Sequence, residues 1–356
     1  MLRGWALYPD RESLRLVLSA AIFVLSGVAQ TVSIQALIYH GGDGDHETYL
    51  MAIPNYAGNL MVYFIGDPVL RYLRTGRFYG KDGRSSKSSK AAVRSYFHPE
   101  RRKLFVLAAN ELIGFACGMM GLALAGSGLY QVVLSGTTVF TTLLSALFLR
   151  KRPSVWQWFF VATIFAGLVM AADQVQLNVG QASSVINGVI LTLLSCLFYS
   201  FNAVITEYFL STPSDDLDVP PPTGKELSLY THGTCLFVFA SYTASHAITR
   251  QRALVIDPLE EHRGVGLSAA GLYIGIFTAC FLHAVTYYDL VAKLGAIPVG
   301  VMNAVRAVTV FGASAVLFCS KQESQCYSVR KGIVTVVVTI GAVGYSLAGK
   351  GGAVQK

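Results

Sequence analysis

The residues of this sequence that could bind a small molecule are polar side chains inside strongly apolar stretches. In residues 130–152, YQVVLSGTTVFTTLLSALFLRKR, polar residues recur at steps of four, three, four and three. This spacing places them on one face of a helix. Lipid offers such a face no hydrogen-bond partners, so we expect it to contact protein or a water-filled cavity. The alternative is that the hydroxyls bond only to their own backbone or to a neighbouring helix. The residues are Gln131, Ser135, Thr138, Thr142 and Ser145.

A second stretch, residues 299–320, repeats this pattern weakly as VGVMNAVRAVTVFGASAVLFCS. Aligning the Val-Phe pairs of the two stretches places Ser135 over Arg306 and Thr138 over Thr309. Weak similarity between two halves of a chain is typical of internally repeated transporters. A charge at the centre of a bilayer costs at least ~2.5–3.5 kcal/mol, which favours a functional role for Arg306.

The elements that must position these residues are membrane helices. The chain of 356 residues is 53% hydrophobic and 13% charged, whereas a soluble domain carries about 25% charged residues. Each crossing takes about 20 apolar residues, and the sequence predicts an all-α membrane protein with ten transmembrane helices. The predicted spans are 14–38, 50–70, 104–124, 128–149, 155–172, 184–210, 227–248, 266–290, 296–319 and 329–348.

The basic residues predict the orientation of these spans. Residues 71–103 form a Ser-, Gly- and Lys-rich segment with the largest cluster of Lys and Arg. Most other basic residues lie on the same side of the predicted membrane if the N-terminus is cytosolic, so both termini are expected in the cytosol. The net charge of +8 is therefore not a nucleic-acid signal. The basic loop is expected to be solvated, disordered in its middle, and attracted to anionic lipid.

Five crossings in each half invert the second half relative to the first. We therefore predict a 5+5 inverted repeat, with residues 1–176 and 177–356 as the two halves around a central cavity. The fourth and ninth spans would face each other across it. One wall would carry Gln131, Ser135 and Thr138, and the other would carry Asn303, Arg306 and Thr309.

Two charges could reach this cavity, Glu111 and Arg306. They could pair with each other until a solute carboxylate or amine replaces one partner. Alternatively, Glu111 could take up a proton and couple transport to a pH gradient, or lie hydrated near the cytosolic face. Asn202 could line the cavity or bond between helices. The span histidines could titrate in an acidic lumen, although packed histidines are common; they are His232, His246 and His283.

Catalytic and metal-binding patterns are not evident in the sequence. We find no paired His/Cys spacing, no nucleophile elbow and no phosphate-binding glycine loop, so no enzymatic activity, cofactor or metal is expected. Cys319 and Cys326 flank a short loop and would form a disulfide if that loop faces an oxidising lumen.

The chain resembles the drug/metabolite transporter superfamily. More narrowly, it is similar to chloroquine-resistance-transporter-like proteins and to solute carrier family 35, subfamily F. The similarity is carried by YQVVLSGTTVFTTLLSALFLRKRPSVWQW, INGVILTLLSCLFYSFNAVITEYFL and NAVRAVTVF. It implies ten helices in an inverted repeat, alternating access, and a vacuolar, lysosomal or Golgi membrane. Some relatives carry a basic residue where Leu134 stands here, which weighs against nucleotide-sugar recognition.

The expected function is secondary active transport of a small organic solute, such as an amino acid, a peptide, a drug-like cation or another metabolite. Protons are a candidate coupling ion, and a homodimer is a candidate assembly. The alternatives are a nucleotide-sugar exchanger of the same superfamily and a non-transporting membrane scaffold that docks partners on residues 71–103.

Overall fold

The described part of the protein is a bundle of helices. The structure is a computed structural model and describes residues 11–44, 48–75, 99–173, 182–211, 221–257, 260, 266–321 and 325–350. It is 89% helix with no strand in these residues, which confirms the all-helical class. The middle of the basic loop, residues 76–98, and the predicted boundary between the halves, at 176/177, lie outside the described residues.

Eleven α-helices are assigned within the described residues. A 3₁₀ turn, Pro99–Leu104, precedes α3, and a π turn, Leu229–Gly233, joins α7 to α8. The helices are α1 Arg11–Tyr39, α2 Ala52–Thr75, α3 Phe105–Leu134, α4 Thr137–Phe148, α5 Val155–Asp173, α6 Ala182–Ser211, α7 Gly224–Ser228, α8 Thr234–Thr249, α9 Gly266–Leu294, α10 Ala296–Phe318 and α11 Val329–Lys350.

Several of these helices have the length and composition of membrane spans, which supports a multi-pass membrane protein. The count of ten crossings and the inversion of the halves stay predictions. Among the described residues, five helical segments are long and apolar enough to cross a bilayer: Ser13–Tyr39, Arg102–Ser127, Ser184–Ser211, Ala269–Leu294 and Ala296–Phe318. Three shorter apolar segments are Thr137–Phe148, Val155–Gly167 and Gly332–Tyr345.

Two glycines with positive φ bend the chain sharply. Gly126 has φ 76° inside α3, and Gly295 has φ 86° between α9 and α10. L-residues with a side chain rarely adopt this region, so glycine suits both positions. Gly126 therefore marks the predicted junction of spans three and four. A further break at residues 135–136 separates α3 from α4, where the sequence predicted an uninterrupted helix.

The helices pack in a few dominant pairs. Helix α3 lies against α6, α1 and α2 against α9, and α5 against α11, while α10 contacts α1, α3 and α4. Glycines allow the close approach of α3 and α6: a Cβ on Gly118 would lie 2.9 Å from Ser195 Oγ, and one on Gly188 would lie 2.9 Å from the amide of Ala125. Small residues serve this purpose in membrane helix pairs, where close backbone contact drives association.

Candidate functional site

A cavity of about 220 Å³ lies between helices of both halves of the chain. It is lined by residues of α1, α2, α3, α4, α6, α9 and α10 and of the π turn before α8. Apolar side chains cover part of the wall, and a set of amides, hydroxyls and ionisable groups covers the rest. The polar lining includes Gln30, Thr31, Asn55, Asn59, Glu111, Gln131, Asn202, Thr206, Thr231, His232, His283, Asn303 and Arg306.

Arg306 brings a buried positive charge to this cavity. Its side chain is 9% exposed, and its Nε has no hydrogen-bond partner in the described residues. No Asp or Glu of the described part of the chain forms an ion pair with it. The guanidinium lies over Gly27, where a Cβ would come within 2.9 Å of Nη1 and closer still to Cδ. A guanidinium held in this way is suited to an anionic group of a bound molecule.

Glu111 is held by neutral donors instead of by Arg306. Its carboxylate accepts a hydrogen bond from Nδ2 of Asn202 at 2.8 Å and one from the hydroxyl of Tyr56 at 3.4 Å. The Glu111–Arg306 pair considered from the sequence is therefore not formed. Tyr130 and Tyr199 also line the cavity.

Amide oxygens add hydrogen-bond acceptors to the same cavity. The Thr31 hydroxyl donates to the carbonyl of Gly27 at 3.1 Å, so it accepts the bond from Nε2 of Gln131 at 3.0 Å. This fixes the amide of Gln131 and leaves its Oε1 buried with no hydrogen-bond donor in the part of the chain that the structure describes. The Oδ1 atoms of Asn202 and Asn303 are likewise buried with no hydrogen-bond donor among the described residues.

The structure brings five of the eight predicted site residues together and leaves three outside the cavity lining. The three are Ser135, Thr138 and Thr309. Ser135 and Thr138 are buried, and the Thr138 hydroxyl donates to the carbonyl of Gly300 at 2.9 Å, which ties α4 to α10. Thr309 is exposed and donates to the carbonyl of Val305 at 3.1 Å, so of the three residues predicted on the second wall, Asn303 and Arg306 line the cavity.

The polar face predicted in residues 130–152 contacts protein, as expected: all five of its residues are buried. It is divided by the break at residues 135–136. Side chains of α6 bond to backbone carbonyls beside this break, since Cys196 donates to Val133 and Ser200 donates to Thr137 at 3.0 Å. Such side chains allow a membrane helix to be interrupted where it is covered by protein.

Several lining or supporting residues were not identified as site residues from the sequence. Gly27, Tyr130 and Tyr199 shape the space around Arg306, and no spacing pattern distinguishes them from packing residues. Of the three histidines considered, His232 and His283 line the cavity. His246 stacks on Tyr242 and is not among the lining residues.

Side chains cap the backbone amides that follow Gly126 and Gly295, the two glycines with positive φ that bend the chain, which we call the kink glycines. The amide of Ser127, after Gly126, donates to Oε1 of Gln35 at 2.8 Å. The amide of Ala296, after Gly295, donates to Oε2 of Glu207 at 2.8 Å. We call these two contacts the Gln35 cap and the Glu207 cap. Each satisfies one of the amides that a helix start leaves without a partner.

Each cap has an additional polar neighbour. Glu207 forms an ion pair with Lys151. The hydroxyl of Ser127 lies 2.9 Å from that of Ser314 and donates to Gln325 at 3.3 Å. The caps are therefore part of contacts that join several helices.

Comparison with known proteins finds a similarity to a transporter family. Residues 85–172 match the EamA-like transporter family. This part of the chain is therefore similar to the drug/metabolite transporter superfamily, whose EamA-like members are generally non-enzymatic. The narrower resemblance to chloroquine-resistance-transporter-like and solute carrier family 35 subfamily F proteins stays a prediction.

Solved structures support the fold of the whole chain. One of them, described only as the crystal structure of a protein, superposes with a TM-score of 0.53 and 17% identity, covering 92% of this chain and 97% of that chain. At this identity the similarity concerns the fold alone. No curated protein matches the sequence significantly.

Proposed function

We propose that the protein is a secondary active transporter that moves a small organic solute across an endomembrane by alternating access. The observation that carries the proposal is the polar cavity between the two halves, which holds a buried arginine without an acidic partner among the described residues. The EamA-like domain supports transport of small solutes. A carrier of this class binds its solute between two repeats and exposes the site to one side of the membrane at a time.

The two caps support an inverted repeat. Gln35 lies near the end of the first predicted span, and Glu207 lies near the end of the sixth. Gln35 caps the first amide after Gly126, at the junction between the third and fourth predicted spans. Glu207 caps the first amide after Gly295, at the junction between the eighth and ninth. A pseudo-two-fold axis in the membrane plane would exchange these two arrangements.

Helix packing supports the same symmetry. Helix α3 pairs with α6, and α9 pairs with α1. In the predicted numbering, spans three and six form the first pair, and spans eight and one form the second. Exchanging the two halves of the chain converts one pair into the other. The pair α5–α11 corresponds to spans five and ten, so exchanging the two halves leaves this pair unchanged.

Contacts near the helix ends support the proposed orientation. The Glu207 cap and its Lys151 ion pair join segments predicted on the cytosolic side. The Gln35 cap joins segments predicted on the opposite side. The disulfide between Cys319 and Cys326 joins residues of a loop predicted on that opposite side, which fits an oxidising lumen. Both termini would then be cytosolic, in a vacuolar, lysosomal or Golgi membrane.

Transport is tested with the purified full chain in liposomes. Vesicles are loaded with one member of a solute library and diluted into the same labelled solute, with and without a pH gradient. A carrier gives counterflow, in which labelled solute accumulates transiently against its gradient. Absence of counterflow for every library member would contradict the proposal, and a dependence on the gradient would identify protons as the coupling ion.

Deleting residues 76–98 separates a carrier from the scaffold considered from the sequence. A carrier lacking these residues is expected to keep counterflow, because the cavity lining that the structure describes comes from other segments. A scaffold that docks its partners there would lose its cellular function while showing no counterflow before or after the deletion.

A further inference from the structure

We infer that the solute carries one carboxylate, bound by Arg306, and at least one N–H group, bound by amide oxygens of residues that line the same cavity. This inference rests on the proposed transport function, since it assigns a substrate class to the cavity. It selects small monoanions and zwitterions over the organic cations and nucleotide sugars that the sequence left open.

Arg306 is the first part of the argument. A buried charge without a protein partner is unfavourable, and folded proteins seldom keep one unless it serves a ligand. Its side chain packs directly over Gly27, where a Cβ would lie 2.9 Å from Nη1 and 3.1 Å from Cε1 of His283. The planar guanidinium presents its donors in a fork that matches the two oxygens of a carboxylate.

The amide oxygens are the second part. Three of them, on Gln131, Asn202 and Asn303, are buried and have no donor in the described residues. The orientation of two is set by their own hydrogen bonds, because the amide nitrogens donate to Thr31 and Glu111. Buried acceptors of this kind are usually satisfied, so a solute with N–H groups supplies what they lack.

The charge balance of the cavity decides between solute classes. Arg306 repels an organic cation unless that cation also carries an anionic group. Glu111 lines the same cavity and, when ionised, repels a second negative charge on the solute. A monocarboxylate or a zwitterion satisfies both conditions, whereas a nucleotide sugar carries two phosphate charges and the described lining offers it one guanidinium.

Ligand-induced stabilisation tests the inference without requiring transport. The melting temperature of the detergent-purified full chain is measured with alanine, N-acetylalanine, alanine methyl ester and uridine diphosphate. We expect the zwitterion and the monoanion to raise the melting temperature, and the ester and the diphosphate to leave it unchanged. Stabilisation by the ester equal to that by alanine, or no stabilisation by either carboxylate, would overturn the inference.

Variants of Arg306 assign the effect to this residue. Arg306→Gln removes an unpaired charge, so the variant is expected to fold at least as stably as wild type and to lose stabilisation by both carboxylates. Arg306→Lys keeps the charge without the planar fork and should bind them about tenfold more weakly. Arg330→Gln is the matched control, because Arg330 is exposed at the start of α11. Carboxylate binding that survives in Arg306→Gln excludes Arg306 as the anion site.

The outcomes distinguish this inference from the proposed function. Counterflow of a cationic or neutral solute would preserve the carrier and overturn the carboxylate site. Carboxylate binding without any counterflow would preserve the site and overturn the carrier.

Discussion

Glu207 accepts the backbone amide of Ala296 at 2.8 Å and at the same time pairs with Lys151. One carboxylate therefore fixes the start of α10, the end of α6 and the segment after α4. In the proposed carrier these elements must separate when the cavity opens to the cytosol. The cap and the ion pair can be tested separately, because glutamine preserves an acceptor and removes the charge.

We predict that Glu207→Gln has a small effect and Glu207→Ala a larger one. Glutamine loses only a partly exposed ion pair, worth about 0.2–1 kcal/mol, whereas alanine also leaves the helix start uncapped, which costs about 1 kcal/mol more. The measurement is labelling of a cysteine placed at Thr206, in the cavity lining, by an impermeant maleimide added from the cytosolic side. We expect the rate of labelling to increase from wild type to Glu207→Gln and again to Glu207→Ala. Equal rates in all three proteins would show that the contact does not restrict access to the cavity.

We predict that Gly27→Ala weakens binding of the solute about tenfold or more. The added methyl would meet the Arg306 side chain and displace the guanidinium from its position in the cavity. A displacement of this kind raises KM with less effect on the maximal rate, since the remaining lining is unchanged. Counterflow kinetics measure both parameters.

The control for Gly27→Ala is Gly312→Ala on α10. A Cβ at Gly312 meets no atom within 4 Å, so the same substitution there tests only the general effect of adding a methyl to a helix. Equal kinetics of the two variants would contradict the role given to Gly27.

We predict that Ser200→Ala lowers the stability of the protein by about 0.5–1.5 kcal/mol, the usual net contribution of a hydrogen bond. Its hydroxyl satisfies the carbonyl of Thr137 next to the break between α3 and α4. Ser211→Ala is the comparison, because the Ser211 hydroxyl is exposed and bonds only within its own helix. Thermal unfolding of both variants in detergent should show a lower melting temperature for Ser200→Ala alone.

We predict that four cysteines react with a maleimide reagent in the unfolded, unreduced protein and that six react after reduction. Cys319 and Cys326 form the disulfide, and the other four cysteines are free. Reaction of all six before reduction would refute the pairing.

Loss of this disulfide has a second expected effect. By chain entropy, a short loop of this kind contributes roughly 2–3 kcal/mol. Cys319→Ser should therefore lower the melting temperature, and Cys117→Ser, which removes a free thiol, serves as the control.

The sequence predicted the helical class and the buried polar face, because apolar length and residue spacing determine both. It also found the cavity-lining members Glu111, Gln131, Asn202, Asn303 and Arg306. Each is a polar residue within an apolar stretch, where burial without a purpose is unfavourable. Their detailed partners could not be predicted, since these depend on which helices pack together.

Thr309 was misplaced for a geometric reason. Successive residues of a helix are rotated by about 100° around its axis. From Asn303 through Arg306 to Thr309, the side-chain direction therefore ends about 120° away from that of Asn303. Arg306 still reaches the cavity because its side chain is long, whereas the short Thr309 is exposed. Ser135 was misplaced because the spacing argument assumed a continuous helix, and the break at residues 135–136 changes the faces on either side.

The two caps differ in charge, and this difference makes the halves energetically unequal. The Glu207 cap includes an ion pair with Lys151, whose side chain is 35% exposed, while the Gln35 cap is formed by a neutral amide. Dissolved salt screens the first and leaves the second almost unaffected. In the proposed orientation, ionic strength in the cytosol would therefore change how readily the carrier opens inward and hardly alter its opening to the lumen.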